Sequence, residues 1–85
     1  MDNVEIANIF NKIADLLEIK DENPFRIRSY RNAADVIENL TLTLSSIVER
    51  DDATLEEIPG IGKAIHAKIV ELIRTGNLLF FDELL

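Results

Sequence analysis

Residues 57–69, "EIPGIGKAIHAKI", set two glycines one residue apart, behind a proline and ahead of two lysines. Glycines at such spacing serve either a turn that side chains would block or a surface that another molecule approaches closely. If one helix ends at Ile58 and another opens after Gly62, the leading N–H groups of the second have no intrahelical acceptor. They also stand at the positive end of its dipole. Such amides bind an anion, and a phosphate oxygen fits them without any base being read. Lys63 adds a point charge to the same place, Lys68 and Arg74 lie farther along, and Ile61 is expected to plug the turn into the core. Walker and dinucleotide fingerprints are absent, because their further glycines and strand context are missing.

Charge is sorted along the chain. The whole sequence carries nine Lys and Arg against sixteen Asp and Glu, a net charge of −7. Residues 24–34 nevertheless hold Arg26, Arg28 and Arg31 with no acid, and residues 60–76 hold Lys63, Lys68 and Arg74 against Glu71 alone. The rest of the chain is left with three cations and fifteen acids. Two basic windows in an acidic body point to a local polyanion contact despite the repulsive sum. The single histidine, His66, has no cysteine, second histidine or obvious acid at ligand spacing, so it reads as an exposed or partly packed imidazole. The carboxylates show no spacing that singles out a metal pair or an acid–base pair.

The elements that must position these residues are helical. Eighty-five residues, 47% hydrophobic and 29% charged, are enough for one small folded domain over 1–85. With no cysteine there is neither a disulfide framework nor a thiolate zinc site. No apolar run approaches the roughly 18 residues of a membrane span, and the first twenty residues lack a signal peptide's continuous apolar stretch. A cytoplasmic location is the default expectation, nucleoid-associated in a bacterium, with no membrane partner.

Ile6, Ile9, Phe10, Ile13, Leu16 and Leu17 fall at helical intervals behind Asp2 and Glu5, which are spaced as a capping box. Asn23 and Pro24 suit the N-cap and first position of a second helix carrying Ile27, Tyr30, Ala33 or Ala34, Ile37 and Leu40. Leu40 to Leu44 alternate as a strand would, but a lone strand has no partner here, and "SSIVERDD" reads as a short helix. Thr54 and Glu57 are spaced as another capping box, for a short helix that Pro59 and Gly60 must end. Ile65, Ile69, Leu72 and Ile73 mark the next helix, which Gly76 closes, and "LLFFDELL" is expected to pack back as a final turn or two. The expected fold is all-α, a compact bundle of four or five short helices. Its expected core is Ile9, Ile13, Leu16, Ile27, Tyr30, Ile37, Leu40, Ile47, Leu55, Ile65, Ile69 and Leu72.

The segment "LEEIPGIGKAIHAKIVELIRTGNL" resembles a helix-hairpin-helix motif, placed at about 54–76. The upstream "ENPFRIRSYRNAADVIENL" resembles the segment that precedes this motif in family X DNA polymerases. Nearly the whole chain, from about Val4, is similar to the N-terminal domain of that family, DNA polymerase beta and its bacterial and archaeal relatives included. The resemblance implies a DNA-repair module that grips DNA at a gap, a nick, a 5′-phosphate end or a single-strand/duplex junction, without sequence preference. Its positions carry over to Gly60, Gly62, Lys63 and Ala64 as sources of backbone amides, Lys68 as added charge, and Arg26, Arg28, Tyr30 and Arg31 near the DNA end.

The resemblance also implies a Na⁺ or K⁺ ion on the main-chain carbonyls of Glu56, Ile58 and Ile61, and requires no other cofactor. Lys68 further matches a Schiff-base nucleophile that some members use to release an abasic sugar phosphate. Against that chemistry, Ala64 and Phe80 stand where lyase-competent members carry lysines, and Phe25 replaces a histidine. Polymerase chemistry itself needs a separate palm domain. Two alternatives to DNA binding thus remain: a weak lyase, and a protein-interaction domain, for a polymerase or other repair protein, that keeps the fold without DNA affinity. The finish at "FDELL" points to a fragment or a trimmed homologue.

Overall fold

In the computed structural model, which describes residues 1–85, the helices start where local hydrogen-bond chemistry starts them. Helix α1 (Asn3–Ile19) is capped by Asp2, whose carboxylate accepts the Glu5 amide at 2.8 Å. The reciprocal bond of a full capping box, from the Asp2 amide to the Glu5 side chain, is not formed. Helix α2 (Pro24–Glu38) begins with proline at its first position, and Asn23 Oδ1 accepts the Phe25 amide at 2.8 Å. Helices α3 (Leu44–Asp51), α4 (Lys63–Thr75) and α5 (Leu79–Leu84) follow, with a 3₁₀ helix over Asp52–Glu57 between α3 and α4. The all-α expectation holds. No helix is long and apolar enough to cross a membrane.

The turn between α1 and α2 is a Schellman motif, in which the Glu22 amide donates to the Leu17 carbonyl and the Asp21 amide to that of Glu18. Asp21 holds its left-handed position at φ 58°. L-residues adopt that region at a cost that glycine escapes. Asp21→Gly is therefore expected to raise stability by about 0.5 kcal/mol, as an increased urea midpoint at unchanged slope.

Helices α1 and α2 form the most extensive helix pair, and Ala33 and Ala34 of α2 let the two backbones come close. The buried stripe of α1 is Ile6, Ala7, Phe10, Ile13, Ala14 and Leu17. It is thus centred about one position from the Ile9, Ile13, Leu16 face expected from periodicity. Ile9, Leu16, Ile27, Leu40 and Ile47 are only half-buried, while Ile13, Tyr30, Ile37, Leu55, Ile65, Ile69 and Leu72 are buried as expected. An apolar stripe six residues wide has more than one possible centre, and only the partner helix selects it.

The alternation at Leu40–Leu44 does not become a strand. Asn3 of α1 reaches across to donate to the Leu42 carbonyl (2.9 Å) and to accept the Leu44 amide (2.8 Å). Those bonds satisfy the backbone that a neighbouring strand would have satisfied. Leu44 and Val48 then turn one face of α3 into the core. The second expected capping box is not formed, because Asp51, not Thr54, caps the 3₁₀ helix, accepting the Ala53 amide at 3.2 Å. Thr54 lies inside it and donates its hydroxyl to the Asp51 carbonyl.

Candidate nucleic-acid interface

The turn from the 3₁₀ helix to α4 is built on Pro59, Gly60, Ile61 and Gly62. Ile61 is 3% exposed and is the apolar plug expected of it, and its amide closes the turn on the Ile58 carbonyl at 3.0 Å. Gly60 takes φ +98°, and a Cβ built there would lie 3.1 Å from Val36 Cγ2 of α2. Gly62 has an ordinary φ of −92°, and a Cβ there would meet nothing within 4 Å. One glycine therefore serves the turn, while the other keeps a surface bare.

Gly62 is the N-cap of α4, and no side chain caps it. The first α4 amide to find an acceptor is that of His66, on the Gly62 carbonyl at 2.9 Å. The N–H groups of Gly62, Lys63, Ala64 and Ile65 donate to no protein group. They stand together at the positive end of the helix dipole, which is the arrangement that binds anions.

These residues border a concavity of about 450 Å³ lined by Arg26, Ser29, Tyr30, Asn32, Gly60, Gly62, Lys63, Ala64, Ile65 and Lys68. Seven of the nine residues expected at a DNA site thus meet at one place: Gly60, Gly62, Lys63, Ala64, Lys68, Arg26 and Tyr30. The lining holds three cations and no carboxylate, in a protein with sixteen acids. Two further arginines expected there are elsewhere. Arg31 pairs with Asp15 Oδ1 at 2.8 Å and Glu18 Oε1 at 3.7 Å, tying α2 to α1. Arg28 lies over the Phe25 ring at 5.7 Å and shares another cavity with Arg31, Glu18, Asp21 and Glu22. The reason is helical geometry: at 100° per residue, positions 28 and 31 fall well away from position 26 on α2.

The same geometry brings in Ser29, which follows Arg26 at i+3 and which the helical wheel of α2 could have found. Asn32, about 120° round the helix from Arg26, lies on the border and lines both cavities. Phe80 of α5 could not have been found that way. Its ring stacks on Tyr30, with centroids 6.0 Å apart and planes at 12°, and Tyr30 in turn meets Phe10 at 6.0 Å. Lys68 Nζ sits 4.8 Å from the Phe80 centroid and 5.9 Å from that of Tyr30, while the Arg26 guanidinium lies 5.3 Å from the Phe80 centroid. A row of aromatics running out from the core thus holds two of the three cations by cation–π attraction. Tyr30, 4% exposed, is a core residue whose ring also floors the concavity.

His66 is partly packed, as expected, but it has acidic partners that its spacing did not suggest. Its imidazole lies between two carboxylates, with Nε2 2.9 Å from Asp52 Oδ2 and Nδ1 2.5 Å from Glu56 Oε2. Both acids belong to the 3₁₀ helix, Asp52 at its start and Glu56 near its end, and each takes one ring nitrogen. The Glu56 bond, then the Asp52 bond, hold the imidazole above its ordinary pKa, and the bond from His66 holds the Asp52 carboxyl below its own. No group of three or more His, Cys, Asp or Glu converges in a way that could hold a metal ion. On the turn, the Glu56 and Ile61 carbonyls accept no protein hydrogen bond, and that of Ile58 accepts one.

A family model described as a helix-hairpin-helix domain matches residues 1–78. The DNA polymerase/3′-5′ exonuclease PolX of Bacillus subtilis (strain 168) is 34% identical over 73 residues, which make up 86% of this chain but 12% of that protein. The chain thus spans only a small part of the length of the curated relative it matches. Both matches take in the glycine turn, the second helix and the two stretches that form the concavity, so the chain belongs to the helix-hairpin-helix domain family, in the form carried by family X DNA polymerases.

Proposed function

We propose that this domain binds the sugar-phosphate backbone of DNA without reading its sequence, at a gap, a nick or a 5′-phosphate end. The observation that carries the reading is the concavity itself: four amides without protein acceptors and three cations face one space that no carboxylate lines. Phosphate oxygens satisfy amides and cations alike, whereas reading a base edge needs a fixed pattern of donors and acceptors. The matched Bacillus subtilis protein is named as a DNA polymerase, which supports a nucleic-acid partner, and a place in DNA repair is proposed with it.

The turn carbonyls of Glu56, Ile58 and Ile61 keep free lone pairs, the donor set that suits Na⁺ or K⁺. A bound monovalent cation there would add positive charge next to the phosphate site. Lys68 is assigned to phosphate binding and not to Schiff-base chemistry. The concavity supplies no carboxylate or imidazole to take the proton that β-elimination removes.

Arg26, Lys63 and Lys68 together neutralise about three phosphates, so the log–log salt dependence of binding to duplex flanks is expected near −2.7. Affinity at physiological salt is expected in the non-specific range of ~10⁻⁴–10⁻⁶ M. Lys68→Ala is expected to lower the slope by about 0.9, whereas Arg31→Ala, which removes a cation outside the concavity, leaves it unchanged. The deciding experiment is a titration of ¹⁵N-labelled protein with a gapped duplex carrying a 5′-phosphate, at low salt. Shifts concentrated on Gly62 to Ile65 and Arg26 support the reading. Unchanged spectra at millimolar duplex reject it and leave a protein-interaction domain of the same fold.

A further inference from the structure

We propose that the short helix α5 sets the charges of the phosphate site: Phe80 is a positioning residue that seats Lys68 and Arg26 over one ring, and the Leu79 amide keeps Glu71 away from Lys68. The inference rests on the DNA-backbone reading above and adds to it an element that supplies no phosphate ligand of its own.

Long cationic side chains need a partner to stay in one place. Neither Lys68 nor Arg26 forms an ion pair, since the salt bridges of this protein fall on Arg31 and His66. What the two share is the Phe80 ring, whose centroid lies 4.8 Å from Lys68 Nζ and 5.3 Å from Arg26 Cζ. They come from different helices, α4 and α2, and like charges over one ring repel. The negative face of the ring offsets that repulsion without neutralising either charge. A carboxylate in its place would hold both cations but would also compete with phosphate for them. The aromatic seat leaves the charges available and spares part of the side-chain entropy that a flexible Lys or Arg loses on binding.

An acid is nonetheless close at hand. Glu71 follows Lys68 on α4 at the i, i+3 spacing of a helical ion pair, and it is the one acid among residues 60–76. Its Oε2 instead accepts the Leu79 amide, at 2.8 Å. Helix α5 is fixed where it can make that bond, because Leu78 before it is buried and Asn77 Nδ2 donates to Asp82 Oδ2 at 2.8 Å. One helix thus withdraws a carboxylate from the site and brings a ring to it.

The test uses the whole chain and the gapped duplex carrying a 5′-phosphate, at low salt. Site-specific replacement of Phe80 by mono-, di- and trifluorophenylalanine drains negative charge from the ring face stepwise while changing its shape little. Affinity is expected to fall with each fluorine, by about threefold to tenfold across the series, at an unlowered urea midpoint. A ring that served only to pack on Tyr30 would give no such trend. Phe80→Tyr is expected to bind as wild type does, and Phe80→Leu no better than the trifluoro variant. In the free protein the Lys68 methylene protons beside Nζ are expected upfield of their ordinary position by the ring current, and to return toward it in Phe80→Leu.

Leu79→Pro removes the amide that holds Glu71. Proline fits there, because Leu79 is the first residue of α5 and Leu78 before it is already extended, at φ −135° and ψ 108°. The variant is expected to bind about twofold to threefold more weakly as Glu71 turns to Lys68, and Glu71→Gln in the same chain to restore the affinity. Affinity that stays constant along the fluorine series, or a Leu79→Pro protein that binds as tightly as wild type, overturns the inference and leaves the DNA reading standing. If wild type does not bind the duplex at all, the DNA reading fails and the inference falls with it.

Discussion

Gly60→Ala is expected to cost about 2 kcal/mol of stability and to weaken DNA binding with it, whereas Gly62→Ala leaves stability within about 0.5 kcal/mol of wild type. Gly60 sits at φ +98°, where an L-residue is strained, and the new methyl would press on Val36 at 3.1 Å. Val36 belongs to α2, so relieving the contact means moving the turn away from the helix that supplies Arg26. The amides of Gly62 to Ile65 would then no longer face Arg26 and Lys68 across the same space. Gly62 carries neither burden, since its φ is ordinary and no protein atom lies near its missing side chain. A methyl there projects toward the concavity and obstructs the approach of an anion. Gly62→Ala is accordingly expected to bind DNA about tenfold less tightly at full stability. Urea midpoints and duplex titrations of the two variants separate the roles. A Gly62→Ala protein that binds as wild type does would mean the phosphate lies elsewhere.

Phe10→Ala is expected to be the most damaging single truncation, costing about 3–5 kcal/mol. A domain of this size has about 4–13 kcal/mol in total, so the truncation removes from about a quarter to all of it. Phe10 is fully buried in the face of α1 that meets α2, and its ring backs that of Tyr30. The hole left by its removal opens beneath the aromatic row that ends at Phe80, on which Lys68 and Arg26 rest. Loss of DNA affinity is therefore expected even under conditions where the variant is still folded, for example with a stabilising osmolyte. Ile9→Ala, at a half-buried position on the same helix, is expected to cost less than half as much. Similar costs for the two would show that the buried stripe of α1 is centred nearer Ile9 than the structure has it.

What the sequence determined by itself is what a few neighbouring residues can settle. Asp2, Asn23 and Gly76 cap their helices because each bond joins groups at most four residues apart. The plug at Ile61, the uncapped start of α4 with its unpaired amides and the helical periods were legible for the same reason, and with them the all-α fold. Tertiary structure decided everything that depends on which distant residues meet. It selected Ile6, Phe10 and Leu17 over Ile9 and Leu16 as the buried face of α1. It sent Arg31 to Asp15 and Glu18 while Arg26 joined Lys68, though all three arginines stand in one basic stretch. It set Phe80 on Tyr30, fifty residues away in the chain, and it gave His66 the two acids that spacing alone did not suggest. The physical division is between short-range hydrogen bonding, which the chain carries with it as it coils, and the packing of one helix face on another. The latter exists only after the intervening loops have closed, and it alone sets which charges end up side by side.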